Sequence, residues 1–299
     1  MPSLAAIAFI ALGVVWGTMF LFTKWAAEFI TPVQIVFLRV VFGFLPLFFY
    51  ALYKRVLRWE DLKHWKHFVV MSLIATSLYY IAFAEGTALL PSSIAGMLSG
   101  AIPLFTFVSA ALLLRDEPIT LGSIAGTVMG FLGVLLIAQP WQSDVGSVNG
   151  LGTLYMIAGA FSVGISFVYA KHFIKPLGLK PLALATYQTG FAMVFLFFVT
   201  DMSGMTLVFE DTKASLGLVF GLGILGTGLA YIIYYYLVDQ MGAIVASGVT
   251  YIPPVVALLI GALLVNEPIS GIDLGAMAFI MVGVWFVQKA RTQSVKQAS

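Results

Sequence analysis

Long apolar runs, broken by short polar, Pro- or Gly-containing stretches, divide the chain into ten segments, at about 4–23, 34–53, 68–85, 91–114, 121–138, 151–172, 183–200, 215–237, 243–265 and 271–288. Each is close to the ~20 residues an α-helix needs to cross a hydrocarbon core. None shows the alternation of polar and apolar positions over about ten residues that a spanning β-strand requires. The pattern therefore predicts an all-α, polytopic membrane protein with ten transmembrane helices. Its faintest boundaries lie between segments 3 and 4 and between 8 and 9. The opening MPSLAAIAFIALGVVWGTMF lacks the basic start of a signal peptide and stays apolar long enough to span, so it is expected to be retained as helix 1.

Composition narrows the class. Of 299 residues, 61% are hydrophobic, and only 15 Lys or Arg and 13 Asp or Glu are present. A soluble domain of this length would carry roughly 75 charges. So few cannot solvate the surface of a soluble enzyme, sustain a disordered chain or engage a nucleic-acid backbone. With no Cys, neither a disulfide nor a thiolate metal site can form. With the N-terminus inside, Lys54, Arg55, Arg58, Lys63, Lys66, Arg115, Lys171, Lys175, Lys180, Lys289, Arg291 and Lys296 fall on the cytoplasmic side, and only Lys24 and Lys213 outside. Both termini are therefore expected in the cytoplasm.

The chain also repeats itself. Glu117-Pro118-Ile119 recurs as Glu267-Pro268-Ile269 at an offset of 150, which also relates Pro103 to Pro253 and Gly133 to Gly283. Gly17 and Lys24 match Gly164 and Lys171 at an offset of 147, and Pro32 and Arg39 match Pro181 and Gln188 at 149. The predicted halves are residues 1–145 and 146–299. Each holds five spans, an odd number, so the second enters the membrane from the opposite side. Such inverted repeats commonly build a midplane substrate site exposed alternately to the two faces.

The stretch from Leu12 to Leu47, with Trp16-Gly17-Thr18, Lys24, Pro32 and Leu38-Arg39, resembles the opening of the EamA-type repeat of the drug/metabolite transporter superfamily. ALLPSSIAGMLSGAIPLFTFVSAALLLRDEPIT is similar to that repeat's fourth helix with its acidic-Pro ending. The resemblance implies a ten-helix exporter of the bacterial inner membrane, with helices 1–4 and 6–9 around a cavity and helices 5 and 10 peripheral. The aromatic-rich interior looks most like the superfamily's aromatic amino-acid exporter branch. Small amphipathic metabolites, aromatic and other neutral amino acids first among them, are thus the expected cargo. Substrate and bilayer are the expected partners, no cofactor is implied, and monomer and homodimer both remain open. Val163-Gly164 and Gln188 depart from the pattern, so the halves are expected to contribute unequally.

Arg39 is the one ionised side chain well inside a span. Such charges are costly and usually functional. It either meets a substrate carboxylate or a helix-end carbonyl, or else it snorkels to the outer interface or holds helix 2 against helix 1. The other candidate cavity residues are Trp16 and Phe20 in helix 1, Tyr79, Tyr80 and Phe83 in helix 3, Ser99 in helix 4, Ser166 and Tyr169 in helix 6, Gln188 in helix 7, Tyr231, Tyr234 and Tyr235 in helix 8, and Tyr251 in helix 9. Rings can stack on an aromatic substrate and hold its ammonium, and phenols can bind its carboxylate. Aromatics that merely pack or face lipid are the competing reading. Pro103 and Pro253-Pro254 remove backbone donors near the centres of helices 4 and 9, as gates or as fixed kinks. Glycines 122, 126 and 130, with Gly271 and Gly275, predict close helix contacts within or between chains.

Glu117 and Glu267 are expected to close connections rather than bind substrate. GLGILG at 221–226 satisfies a dinucleotide-binding spacing but lies inside a span. His64 and His67 have no third ligand in view, so no metal site is expected. No catalytic constellation is present, and no carboxylate lies deep in a span, which favours facilitated or exchange transport over proton coupling. A multidrug exporter is the alternative within transport, and a channel or scaffold the alternative outside it.

Overall fold

The computed structural model describes residues 4–114, 119–139, 149–241, 246 and 248–298, with the side chains of 235, 238, 239, 241 and 291–298 outside that description. Among the described residues there are helices and no strands. Nine helices are long and apolar enough to span: α1 Leu4–Ala26, α2 Pro32–Tyr53, α3 Trp59–Leu89, α4 Ser92–Leu113, α5 Leu121–Ala138, α6 Gly150–Leu177, α7 Pro181–Val199, α8 Thr212–Tyr234 and α10 Gly271–Ala290. The remaining predicted segment is α9, described from Gly248 to Leu264.

The helix starts follow from local chemistry. Thr31 and Gln34 form a reciprocal capping box with Pro32 in the first turn of α2. Thr120 with Ser123 does the same for α5, and Ser270 with Asp273 for α10, where Asp273 Oδ2 accepts from Ser270 N at 2.8 Å. Asp273, among the acids nearest a span in the sequence, is thereby committed to a helix end.

Five of the helices are irregular inside. α3 carries a π-helical turn at Leu73–Ser77, α6 one at Ala170–Ile174, and α8 a 13-residue π-helical stretch, Gly217–Leu229. α4 breaks at Gly100-Ala101, whose amides reach only three residues back, and Pro103 sits in the first turn of the segment Ile102–Leu113. In α9 a 3-10 turn, Gly248–Tyr251, precedes Ile252–Leu264 with Pro253 and Pro254 at its start. The missing proline donors thus fall where helix geometry changes, as their chemistry requires.

Large apolar side chains line the outside, such as Leu112 at 79% and Leu121 at 83% exposure. Only a lipid environment accepts such a surface around a chain this poor in charge. Packing between the helices depends on glycine. A Cβ on Gly17 of α1 would lie 2.5 Å from Val256 Cβ of α9, and one on Gly164 of α6 2.9 Å from Thr106 N of α4. Gly17 and Gly164 are repeat partners, and so are positions 256 and 106. α5 and α10 meet at Gly126 and Gly283, where a Cβ on Gly126 would sit 2.5 Å from Gly283 O. Gly271 and Gly275, grouped with that face in the sequence, instead have no neighbour within 4 Å. Gly126→Val is expected to force α5 from α10 at a cost of about 1–3 kcal/mol or more, whereas Gly275→Val should stay within about 0.5 kcal/mol of the parent. Thermal unfolding of the two variants side by side checks this.

Candidate substrate site

Arg39 projects inward from α2 and is 7% exposed. Its Nε donates to Thr227 Oγ1 of α8 at 3.0 Å, its Nη2 lies 3.8 Å from Met19 Sδ of α1, and its Cζ stands 3.7 Å from the centroid of the Tyr80 ring of α3. Thr227 donates its own hydroxyl to Leu222 O at 2.9 Å, five residues back, a reach that the π-helical winding of α8 supplies. Among the described residues no carboxylate pairs with Arg39. It therefore does not snorkel to the interface but is held at the meeting point of α1, α2, α3 and α8. A guanidinium carries five N–H donors, and among the described residues only Thr227 offers one of them a strong acceptor, which leaves this site attractive to an anion.

The second half holds a neutral counterpart. Gln188, at the repeat position of Arg39, is 5% exposed and donates from Nε2 to Thr76 Oγ1 at 2.7 Å, in the π-helical turn of α3. In each case a polar side chain from the second helix of one half binds a threonine in the irregular third helix of the other. Ser162 of α6 fixes the same turn of α3 by donating to Ile74 O at 2.7 Å. Thr227, Thr76 and Met19 were absent from the sequence reading. The one available signal was that Thr76 and Thr227 lie 151 residues apart, close to the repeat offset.

The aromatic candidates separate into groups. Tyr79 packs against Tyr80 at 4.8 Å and Phe83 at 4.7 Å between ring centroids, and Phe20 faces Phe83 at 6.2 Å, so a chain of three further rings leads away from the Tyr80 ring that covers the Arg39 guanidinium. Trp16 pairs with Tyr234 at 6.0 Å, with Tyr231 half-buried one turn earlier in α8. Tyr251 packs on the core shared by α4, α5 and α10. The side chain of Tyr235 lies outside the described residues, as do Glu117 and Pro118.

Three expected cavity residues have other commitments. Ser99 donates to Gly96 O at 2.6 Å and Ser166 to Val163 O at 2.7 Å, each three residues back in its own helix. A serine hydroxyl reaches such a carbonyl without leaving the helix, so its polarity is spent locally. Tyr169 instead shares a 2.7 Å hydrogen bond with His67 Nδ1 and packs on Phe173 at 4.7 Å.

One end of the bundle is tied across the chain by Lys24 and Glu267. Lys24 Nζ donates to Ala88 O and Leu90 O at 2.9 Å and to Thr87 O at 3.4 Å, capping the last turn of α3. Glu267, in the α9–α10 connection, accepts from Ser92 N and Ser92 Oγ at 2.8 Å and from Ser93 N at 2.9 Å, capping the first turn of α4. Charges of the right sign thus flank Pro91 on both helix ends. Partial burial pushes the Glu267 carboxyl up, but the polar groups of Ser93 and Ser92 outweigh it and hold it below the usual carboxylate range. Gly261 leaves the room, since a Cβ there would collide with Glu267 Oε2 and lie 2.7 Å from Ser93 Cβ. Glu267 therefore closes a connection as expected, but that of α3 and α4 rather than its own.

A model of the EamA-like transporter family matches residues 3–139 and again 150–288. An uncharacterized transporter of Archaeoglobus fulgidus is 24% identical over 277 residues, 92% of this chain and 95% of its own. The uncharacterized transporter YdfC of Bacillus subtilis is 26% identical over 84% of this chain and 80% of its own. YedA of Escherichia coli, an uncharacterized inner membrane transporter, is 25% identical over 94% and 89%. A crystal structure shares the fold over 98% of this chain and 99% of its own, with a TM-score of 0.64 and 21% identity. A polytopic bundle of irregular helices, matched twice by one family model, belongs to the EamA-like transporter family.

Proposed function

We propose that this chain is a secondary transporter of the bacterial inner membrane that exports small amphipathic metabolites, above all aromatic and other neutral amino acids. The carrying observation is Arg39, a buried guanidinium with no carboxylate partner among the described residues, stacked on the Tyr80 ring, from which ring contacts continue to Tyr79, Phe83 and Phe20. A zwitterion with an aromatic side chain complements it: the carboxylate takes the guanidinium, while ring faces take the side chain and the ammonium. The resemblance to the aromatic amino-acid exporter YddG supports the same class. The Arg39–Thr227 and Gln188–Thr76 pairs support alternation between inverted halves, 1–145 and 146–299, that exchange roles as the site turns from one face to the other.

In this reading both termini are cytoplasmic and the Lys24–Glu267 end faces outward. Substrate and lipid are the partners, no cofactor or nucleic acid takes part, and the substrate gradient sets the net direction.

Counterflow tests the reading. Purified protein in liposomes loaded with unlabelled phenylalanine should transiently accumulate external labelled phenylalanine, and empty or alanine-loaded liposomes should accumulate less. Equal uptake by loaded and empty vesicles would indicate a channel. No uptake by folded protein, with competition for binding by planar organic cations, would shift the assignment to multidrug export.

A further inference from the structure

We propose that Arg39 also binds a small monovalent inorganic anion of the chloride class when no substrate carboxylate is present, so that substrate and anion exchange at one site. This rests on the reading of Arg39 as the carboxylate anchor. Arginine cannot shed its charge, and at 7% exposure it is shielded from bulk water. Its hydrogen-bond and ring partners among the described residues are all neutral: the Thr227 hydroxyl, the Met19 thioether and the Tyr80 ring. A guanidinium has five N–H donors, and only Thr227 offers a strong acceptor to one of them. A buried cation so placed is stabilised by whatever anion reaches it.

The same contacts select the anion. Thr227 accepts from Arg39 and donates to Leu222, so its hydroxyl proton is already used. Guanidinium N–H groups alone then hold the anion, which makes binding weak and exchange fast. A single positive charge cannot offset the dehydration of a doubly charged oxyanion such as sulfate. Halides and nitrate shed water more cheaply, so they are the class that fits.

The test measures phenylalanine binding to the purified full-length protein in sodium chloride and in sodium sulfate of equal ionic strength. Chloride at about 100 mM is expected to weaken the apparent affinity about tenfold in simple competition, with bromide and nitrate acting alike. Phenylalanine binding that is equal in the two salts would overturn the anion proposal and leave the functional reading intact. Failure to bind phenylalanine in either salt would count against the functional reading instead. Thermal unfolding then tests the anion alone: a chloride-over-sulfate stabilisation larger in wild type than in Arg39→Gln sustains it, and an equal effect in both overturns it.

Discussion

Arg39→Lys is expected to weaken phenylalanine binding by about tenfold to a hundredfold while the protein stays folded, because lysine keeps the charge and loses the fork. In the native site one edge of the guanidinium engages Thr227 while its face covers Tyr80. An ammonium is a single point of charge on a flexible stem, and it cannot hold both partners and offer two parallel N–H groups to a carboxylate. Loss of one charge-assisted hydrogen bond costs about 1.5–3 kcal/mol, which sets the range. Arg39→Gln removes the charge as well and should abolish counterflow. Equilibrium binding and counterflow on the same preparations check both variants. Unchanged affinity in Arg39→Lys would show that the substrate carboxylate is elsewhere and that Arg39 braces the helices.

The ten segments were legible because lipid imposes a length and an apolarity that few other constraints override. Arg39 and Gln188 were legible as a pair because repetition fixes their register. Their partners were not, because each pairing crosses from one half to the other. Position 227 also lies in a π-helical stretch, where a spacing of 3.6 residues per turn misplaces side chains. Ser99 and Ser166 show a different blind spot: their hydroxyls donate within one turn of their own helices, and residue type alone does not reveal that. Glu267 was visible as a repeated acid before proline, but its target, the first turn of α4, is 175 residues away in the chain.

That long-range contact makes Glu267→Gln the variant expected to open the Lys24–Glu267 end. The carboxylate binds both amides that start α4, and Lys24 binds the carbonyls that end α3, so the two charges lock the α3–α4 corner to α1 and to the α9–α10 connection. Neutralising the acid turns charge-assisted bonds to Ser92 and Ser93, worth about 1.5–3 kcal/mol each, into neutral ones worth about 0.5–1.5, and over three bonds that is enough to raise an open population more than tenfold. The chain has no Cys, so a single cysteine reports cleanly. Phe20→Cys suits, because Phe20 is buried at 8% exposure behind this corner, beside Phe83. A membrane-impermeant maleimide should label it about tenfold faster with Glu267→Gln than without. The pH dependence follows from the lowered carboxyl: the latch is fully charged above the ordinary value of 4.5 and is lost only as pH falls through a lower one. The variant-to-parent rate ratio should therefore hold from about pH 8 to 5 and converge toward one in stronger acid. A drop in thermal stability with no change in labelling would make Glu267 a helix cap and nothing more.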